Sequence, residues 1–467
     1  MTIPMVCTIA ESDVSGGAGV QSDLHTFHNL GVHGYSIITA IGDSYYLPPH
    51  IVEAELQSLS QDVRAIKIGI LGDCRTIDIL IDFLHQYKGF VVLNMLLVSS
   101  SDYLRKLKQL FPYINLLTLN KNEAEILLAR RIVTHADVIA AAEDSLAMGV
   151  KSVVIKGGHF DGDDSQDYWS DGNEAFWLTN KRYENSDVSG ASSAFSSAVA
   201  ASVALGYSLK DALVIANMYV NRGMRYAKHG KFFQHMTSWP EEEIDVPVLH
   251  AQPVNNNRPS FMRDDLFKIG LYPIVDSLEW LKILLSLGIK CIQLRIKNKT
   301  GEALAKEIQE SIILSKQYQV KLFINDYWQL AIAFGADGVH LGQEDLHIAD
   351  VQAIHAAGLQ LGISTNSYAE VALAHFYRPS YIACGPIFIT TSKVMSSPPQ
   401  GLQSLARWRK TLSYPLIAIG GINHENIMEI LSENVDGVAL ISAITKADHP
   451  VIAAEQLMKM VNAHLDD

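Results

Sequence analysis

Short apolar runs alternate with longer amphipathic stretches along the first half of the chain. The runs are rich in Val, Ile and Leu and occupy residues 6–10, 35–41, 66–71, 90–96, 115–120 and 152–158. Helical periodicity appears between them, at residues 51–60, 136–148 and 190–205. Buried strands that alternate with helices are typical of a sheet covered by helices. The first half is therefore predicted to be an open α/β sheet.

The alternation becomes regular in the second half. Eight apolar runs, each followed by a helical stretch, occupy residues 271–276, 291–297, 321–326, 338–342, 359–365, 381–387, 416–422 and 437–443. Eight such units in about 200 residues are typical of a (β/α)8 TIM barrel, whose chemistry lies at the carboxyl ends of its strands. The second half is predicted to be such a barrel.

The segment between these two patterns is rich in proline, acidic residues and asparagine, and has little periodicity. It is predicted to be a linker over residues 241–262, joining a domain of residues 1–240 to one of residues 263–467. Two domains are expected because the chain has 467 residues, whereas a single hydrophobic core stops growing at about 250–300 residues.

Charge and composition exclude several classes of function. The formal net charge of -13 argues against non-specific binding to nucleic acid or an anionic membrane, so anionic substrates require local positive charge. No stretch reaches the roughly 18 apolar residues of a membrane span, and we expect no targeting signal. The four cysteines form neither a CxxC pair nor a regular framework, which favours a reducing cytoplasm.

Polar residues accumulate where the barrel strands are expected to end. Asp326 follows the third strand and Asp345 the fourth, and carboxylate oxygens are ligands that Mg²⁺ takes beside water and substrate phosphate. Alternate positions 293, 295 and 297 place an arginine and a lysine on one face of the second strand. Residues 390–393 add three hydroxyls and another lysine after the sixth strand. These residues suit a diphosphate bound with Mg²⁺.

The segments QLRIK, FINDYW, GVHLGQEDL, GPIFITTSK and AIGGI, in this order and spacing, resemble thiamine phosphate synthase across the second half. The resemblance implies that hydroxymethylpyrimidine diphosphate loses diphosphate and that the nitrogen of a thiazole phosphate attacks the resulting cation. It implies that Arg295, Lys297 and Lys393 stabilise the leaving group. The substrate contacts that it implies are Gln293, Asn325, Ser364, Thr390, Ser392, Gly421, Ile441 and Ser442.

One alternative for the barrel is the related thiazole tautomerase, a proton-shuttling isomerase. That reaction needs no diphosphate clamp, whereas this sequence retains the clamp and both metal carboxylates. The synthase is the favoured interpretation.

The first half contains SDVSGGAGVQSDLHTF, LTLNKNEAE, VIKGGH and SGASSAFSSAVAASVALG in this order. They resemble the hydroxymethylpyrimidine and phosphomethylpyrimidine kinases of the ribokinase-like fold over roughly residues 5–230. Such a kinase would use ATP to make the synthase's substrate. The positions implied for pyrimidine, nucleotide or Mg²⁺ contacts are Asp23, Ser44, Asn120, Glu123, Lys156, Gly190 and Ser193.

The first half departs from this family at its expected site. The family has roughly Gly-Thr-Gly-Cys at a helix start, with the cysteine as the base, whereas residues 190–193 are Gly-Ala-Ser-Ser. A serine hydroxyl is a poorer base than a cysteine thiolate. Asn94 replaces an aspartate, and Glu11 replaces a small residue in the expected pocket. Two hypotheses remain: an active pyrimidine kinase, or a degenerate kinase fold that serves as a binding, regulatory or assembly module.

The expected partners are small-molecule substrates, without nucleic acid or membrane. Both resembled families commonly form oligomers, so a homo-oligomer is expected. His25, His28 and His33 are expected to be surface histidines and not metal ligands.

Overall fold

The structure is a computed structural model that describes residues 3–42, 45–95, 100–159, 162–183, 189–227, 233–235, 237–254, 258, 260–263, 266–390 and 399–465. The chain folds into two compact units. The first unit comprises Met1–Pro240 and Ile244–Asn257, and the second comprises Glu241–Glu243 and Arg258–Asp467. The domain bounds expected from the sequence stay predictions.

The first unit is built on one ten-stranded sheet. Its strands are β1 Met5–Ser12, β2 His33–Ile41, β3 Tyr45–Tyr46, β4 Val63–Ile68, β5 Phe90–Asn94, β6 Leu116–Asn120, β7 Val153–Lys156, β8 Asp164–Ser170, β9 Ala175–Lys181 and β10 Val248–His250. Their order across the sheet is β10-β9-β8-β7-β6-β5-β4-β1-β2-β3. The strands from β2 to β7 in this order pair in parallel, and the remaining pairs are antiparallel.

Eight helices of the described residues accompany this sheet. They are α1 Gly19–Asn29, α2 Pro49–Gln57, α3 Cys74–Gln86, α4 Ser101–Leu107, α5 Lys121–Leu128, α6 His135–Ala147, α7 Ala191–Ala204 and α8 Leu209–Tyr226. Helix α7 is almost entirely Ala, Ser and Val and is buried around most of its circumference. Its small side chains allow it to pack closely against β4, β5, α1 and α8.

The predicted open α/β sheet is confirmed, and the antiparallel edge was not predicted. Strands β8 and β9 form a hairpin around residues 171–174, whose Asp-Gly pair is a turn signal. Strand β10 lies inside the predicted linker, residues 241–262, where the sequence indicated little strand periodicity. It is only three residues long and pairs with Thr179, Leu178 and Trp177, so tertiary pairing and not local pattern defines it.

The second unit is a closed barrel of eight parallel strands, which confirms the predicted fold. The strands, in spatial and chain order, are β11 Gly270–Val275, β12 Cys291–Leu294, β13 Lys321–Asn325, β14 Gly338–Leu341, β15 Gln360–Thr365, β16 Tyr381–Cys384, β17 Leu416–Ile419 and β18 Gly437–Leu440. The helices are α9 Leu278–Leu285, α10 Gly301–Gln317, α11 Trp328–Phe334, α12 Gln343–Leu346, α13 Val351–Ala356, α14 Tyr368–Tyr377, α15 Gly401–Thr411, α16 Ile427–Leu431, α17 Ser442–Thr445 and α18 Pro450–Leu465.

Three aromatic rings fill much of the barrel interior. Tyr272, Phe323 and Tyr381 are buried there, and their ring centroids lie 5.3–6.1 Å apart. Glycines on neighbouring strands make room for them, because a Cβ at Gly362 would lie 2.1 Å from the Tyr381 ring and one at Gly338 would lie 2.4 Å from Phe323. The interior is therefore a packed core, and chemistry is confined to the strand ends.

Two surface predictions can be compared with the structure. His25, His28 and His33 are exposed, as expected. Among the described residues, no helix is both long and apolar enough to cross a bilayer.

The barrel is expected to lose stability in mild acid because of His375 on α14. Burial lowers the pKa of His375 to about 4, although Glu243 acts in the opposite direction. The unfolded state, in which a histidine pKa is about 6.5, therefore binds this proton first. The free energy of unfolding should fall between about pH 6.5 and 4, by up to roughly 1.4 kcal/mol per pH unit.

Calorimetry of the whole chain across this pH range tests the expectation. His375→Gln should flatten the pH dependence of the barrel's transition, whereas His449→Gln, at an exposed position, should keep the wild-type slope. An unchanged slope in His375→Gln would contradict this account.

Candidate active sites

Two carboxylates meet at the mouth of the barrel. Asp326 directly follows β13 with φ +65°, a conformation that costs a non-glycine residue roughly 1 kcal/mol or more. Asp345 lies on α12, just after β14. Burial raises the pKa of Asp345, and the adjacent Asp326 carboxylate raises it further by its charge and by a hydrogen bond. Two carboxylates held this close favour a cation between them.

This donor set fits the predicted Mg²⁺ site. Magnesium ions are usually held by one or two carboxylates, with water and substrate phosphate as the other ligands. Among the described residues, no group of three or more His, Cys, Asp or Glu side chains is placed to hold a metal ion. The pair therefore suits an ion that arrives with a phosphate and not one held in a closed protein cage.

A positive side chain contacts one of these carboxylates. The Lys297 ammonium forms an ion pair with Asp326, and its side chain is half exposed. Strand β12 ends at Leu294, so Arg295 and Lys297 follow the strand and are not its last residues as predicted. The Arg295 backbone N–H still continues the strand pairing, with a bond of 2.7 Å to the Val275 carbonyl. Both cations thus lie at the strand end. Lys393 and Ser392 lie outside the described residues.

Polar side chains are also buried just beneath this mouth. Gln293 and Asn325, both predicted as substrate contacts, are 2% and 6% exposed. Ser364 is half-buried at the end of β15, and its Oγ lies 2.8 Å from His340 Nε2. Gln293 Nε2 donates to the Tyr272 hydroxyl at 3.4 Å. The predicted contacts are therefore linked to buried groups that the sequence did not single out.

The strand ends on the opposite side of the barrel bring backbone close together. Gly421 has φ +71°, and a Cβ there would lie 2.5 Å from the Ile389 carbonyl oxygen and 2.7 Å from Phe388 Cβ. Only glycine allows this approach, which places the segment leading to Thr390 against the turn after β17. Ile441 caps the short helix α17, which begins at Ser442 after the neighbouring strand β18. Gly421, Ile441 and Ser442 thus follow adjacent strands.

The first unit buries an ion pair beneath the expected kinase site. Asp23 and Lys67 are 0% and 1% exposed, and their charged atoms lie 2.7 Å apart. The Asp23 carboxylate also accepts hydrogen bonds from Thr8 at 2.5 Å, Ser193 at 2.7 Å and Ser197 at 2.6 Å. Lys67 donates to Ser193 Oγ at 3.0 Å. Four elements of the unit are tied together by this cluster.

A cavity of about 410 Å³ lies at the carboxyl edge of the sheet. It brings together four predicted residues, Asn120, Glu123, Lys156 and Gly190. Asn120 and Glu123 also form a reciprocal capping box at the start of α5, with bonds of 2.9 and 2.6 Å. These two residues therefore have a structural role as a helix cap, and they also line the cavity.

Charges within the cavity depend on one another. Burial lowers the pKa of Lys156, although Glu123 and Asp167 act in the opposite direction. Burial raises the pKa of Glu123 and of Asp167, and Lys156 opposes both shifts. An anionic ligand in the cavity would favour the charged form of Lys156.

Ser192 lies in the first turn of α7, where the family pattern has its second glycine. Its hydroxyl contacts the Lys156 ammonium and donates to Asn94 Oδ1 at 3.0 Å. Asn94 is buried, and its Nδ2 has no hydrogen-bond partner among the described residues. Two residues that depart from the kinase pattern thus contact each other, and Ser192 also contacts Lys156.

In the glycine-rich turn before α1, backbone N–H groups donate hydrogen bonds to the side chain of Asp13. The Asp13 carboxylate accepts bonds from the Ser15 N–H at 2.9 Å and the Ala18 N–H at 3.0 Å. Burial would raise the pKa of Asp13, but the bonds from Ser15 and Ala18 lower it below its usual value. A Cβ at Gly190 would lie 1.9 Å from the Gly17 carbonyl oxygen. The Gly17 backbone lies so close to the start of α7 that residue 190 has no room for a side chain, which explains the glycine at this position.

Glu11 is also buried near this turn, at 5% exposure, and its Oε2 has no partner among the described residues. Burial raises the pKa of Glu11, and Lys67 opposes that shift. Ser44 lies outside the described residues. The predicted crowding by Glu11 thus stays a prediction.

The two units match different families of known proteins. The family described as "Thiamine monophosphate synthase" matches residues 271–444. The thiamine-phosphate synthase of Photorhabdus laumondii is 52% identical over 195 residues, which are 42% of this chain and 90% of that protein. That of Citrobacter koseri is 48% identical over 198 residues, 42% of this chain and 94% of that protein. The chain belongs to the thiamine-phosphate synthase family.

The first unit of this synthase-family chain matches a second family, described as "Phosphomethylpyrimidine kinase", over residues 13–236. The structure of pyridoxal kinase from Staphylococcus aureus in complex with AMP-PCP and pyridoxal is similar, with 28% identity and a TM-score of 0.50. The match covers 54% of this chain and all of that one. The chain is therefore a fusion of a kinase-like unit and a thiamine-phosphate synthase barrel, as predicted.

The barrel residues that prediction missed are Tyr272, His340 and Tyr381. Each is a polar residue within an otherwise apolar strand, and this local signal was available in the sequence. In the kinase-like unit the missed residues are Lys67, on β4, and the cavity residues Asp167, Arg182, Asn217 and Met224, on β8, after β9 and on α8. Those cavity positions carried no motif, because only the fold brings them to one edge.

Lys67→Met is expected to destabilise the kinase-like unit by about 3–5 kcal/mol, because it leaves the Asp23 carboxylate buried without its cation. Urea denaturation of the whole chain should show the loss in that unit's transition. The double variant Lys67→Met/Asp23→Asn should lose less than the two single losses combined. The control Lys106→Met removes a partly exposed ion pair with Asp78 and should cost at most about 1 kcal/mol. Additive losses would refute the coupling.

Proposed function

We propose that the barrel condenses hydroxymethylpyrimidine diphosphate with hydroxyethylthiazole phosphate, giving thiamine phosphate and diphosphate. The observation that carries this proposal is the pair of carboxylates, Asp326 and Asp345, beside Lys297 at adjacent strand ends. The 52% identity to a thiamine-phosphate synthase supports it. A thiazole tautomerase would have no use for this clamp.

The chemistry breaks the bond between the pyrimidine methylene carbon and the diphosphate oxygen. The bonding electron pair leaves with the diphosphate, and the thiazole nitrogen then forms a bond to the methylene carbon. Negative charge grows on the departing oxygen, and we propose that the cations of Arg295 and Lys297 neutralise it. When bound at Asp326 and Asp345, Mg²⁺ supplies further charge neutralisation to the diphosphate.

The second substrate is assigned to the other side of the barrel mouth. Gly421 and Ser442 follow β17 and β18, where backbone N–H groups bind phosphates in many barrels. We propose that the thiazole phosphate binds there, and that the hydroxyls of Thr390 and Ser392 contact the diphosphate. This proposed arrangement binds the two phosphate groups at different strand ends.

For the kinase-like unit the geometry favours binding over catalysis. Ser193, which stands where the family has its cysteine base, is 5% exposed. Its hydroxyl donates to Asp23 and accepts from Lys67, so it is held in a paired cluster. We propose that the unit binds ATP and a pyrimidine at its cavity and transfers phosphate slowly or not at all. The chain is expected to act in the cytoplasm as a homo-oligomer, without nucleic-acid or membrane partners.

Replacement of either strand-end carboxylate should abolish synthesis while the barrel stays folded. Asp326→Ala and Asp345→Asn are expected to lower kcat/KM at least 100-fold with preformed pyrimidine diphosphate, thiazole phosphate and Mg²⁺. Both should also lose the rise in thermal midpoint that Mg²⁺ with inorganic diphosphate gives the wild type. Glu344→Gln is the matched control, since Glu344 is the exposed neighbour on α12. Near-normal turnover in either variant would overturn the metal assignment.

The kinase-like unit is tested by supplying pyrimidine monophosphate and ATP in place of the diphosphate. Wild type should form little thiamine phosphate, whereas Ser193→Cys is expected to raise ATP-dependent product at least tenfold, because a thiolate is a stronger base. Ser196→Cys is the control, since that hydroxyl bonds only to backbone carbonyls of α7 among the described residues. Rapid product formation by wild type would establish an active kinase instead.

A further inference from the structure

A continuous row of buried hydrogen bonds crosses the barrel beneath its mouth. It runs from Gln293 Nε2 to the Tyr272 hydroxyl at 3.4 Å and on to the Tyr381 hydroxyl at 2.8 Å. It continues to His340 Nδ1 at 2.7 Å and from His340 Nε2 to Ser364 Oγ at 2.8 Å. Gln293, Tyr272, Tyr381 and His340 are all at most 6% exposed. Within the row, Tyr272, Tyr381 and His340 each have a partner on both sides, whereas Gln293 and Ser364 are its two ends.

The chemistry of each group fixes the direction of the row. An amide nitrogen only donates, so Tyr272 accepts from Gln293 and must place its single proton toward Tyr381. Tyr381 then donates to His340 Nδ1, which makes His340 a neutral ring with its proton on Nε2. That proton points to Ser364. Burial raises the pKa of both tyrosines well above the usual range, so both phenols keep their protons.

The two ends of the row consequently have opposite hydrogen-bonding character. Ser364 Oγ accepts from His340, which leaves its own proton for a partner in the barrel mouth. Gln293 uses its amide nitrogen for Tyr272, which leaves its carbonyl oxygen as an acceptor. Gln293 also has a side-chain hydrogen bond with the Tyr381 phenol, so both tyrosines hold its amide group. Among the described residues, the Ser364 hydroxyl has no side-chain partner besides His340. The row thus fixes the Gln293 oxygen as an acceptor and leaves the Ser364 proton as a donor, and Ser364 Oγ keeps a second lone pair that can accept.

An aminopyrimidine matches this pair of ends. Its amino group donates, and the adjacent ring nitrogen accepts. The corresponding oxopyrimidine has the reverse pattern, a carbonyl that accepts beside a ring N–H that donates. We propose that Tyr272, Tyr381 and His340 are positioning residues that fix Gln293 as acceptor and Ser364 as donor, and so select an aminopyrimidine over an oxopyrimidine. This inference rests on the proposed synthase function.

The selection should be strong because an oxopyrimidine fits only if the whole row of hydrogen bonds reverses its direction. To accept an oxopyrimidine, the Gln293 amide must turn over, and every proton from Tyr272 to Ser364 must change sides. A mismatch that is not relieved leaves a buried polar group unpaired, and such sites reject the wrong ligand by large factors. We expect the wild type to prefer the amino substrate by at least 100-fold in kcat/KM.

Tyr381→Phe is the most direct test, because it removes one hydroxyl from the middle of the row and keeps the ring. The assay uses the full chain with Mg²⁺, thiazole phosphate and either the aminopyrimidine diphosphate or its oxopyrimidine analogue. The variant should lose at least tenfold of the discrimination and raise KM for the pyrimidine substrate. KM for the thiazole phosphate should stay within about twofold, a split that a general loss of packing would not produce.

Two further variants serve as a second test of the row and as a control for the loss of a buried hydroxyl elsewhere. Tyr272→Phe breaks the row at a different bond and should reduce discrimination similarly, so the test survives if Tyr381→Phe does not fold. Tyr414→Phe removes another buried hydroxyl, which contacts His375 at 3.1 Å and precedes β17 at the other end of the barrel. That control should keep the wild-type preference.

The outcomes separate the inference from the proposed function. No product from wild type with the aminopyrimidine diphosphate would refute the synthase proposal, and with it the substrate of this inference. An active wild type whose discrimination is absent, or is unchanged in both Tyr381→Phe and Tyr272→Phe, would refute the inference alone. Loss of discrimination confined to the pyrimidine substrate supports it.

Discussion

Polar groups inside the parallel strands of both units are cut off from water, and each must find a partner within the protein. In the kinase-like unit this requirement produces the Asp23–Lys67 ion pair with its ring of hydroxyls. In the barrel it produces the row from Gln293 to Ser364. The side chains that remain available for ligands are those at the strand ends, where internal pairing stops.

The two candidate sites differ in how far this pairing extends. At the barrel mouth, Asp326 and Asp345 lie close together, with Lys297 as a partial counter-charge. We propose that a metal ion bound with a diphosphate completes this site. In the kinase-like unit the hydroxyl of Ser193 is already satisfied by Asp23 and Lys67. The barrel carboxylates therefore favour a bound cation, whereas Ser193, at the position of the family's base, is already hydrogen-bonded within the kinase-like unit.

The fusion of the two units makes chemical sense even if the kinase-like unit does not transfer phosphate. The kinase family named by its sequence acts on phosphomethylpyrimidine, and the barrel's substrate carries the same pyrimidine. A unit that retains Lys156 and the 410 Å³ cavity, but has Ser192 and Ser193 at the start of α7, is suited to binding. The departures from the family lie at the start of α7, at Ser192 and Ser193, and on the strands β5 and β1, at Asn94 and Glu11.

The sequence by itself determined the fold class of both units and the strand-end residues of the barrel, because hydrophobic period and strand-end position are local properties of the chain. It could not assign the antiparallel edge of the first sheet, where β10 exists only through its pairing with β9. Nor could it join Tyr272, Tyr381 and His340, which lie far apart in sequence. Only closure of the barrel brings these residues within hydrogen-bond distance, and only that closure gives their protons a common direction.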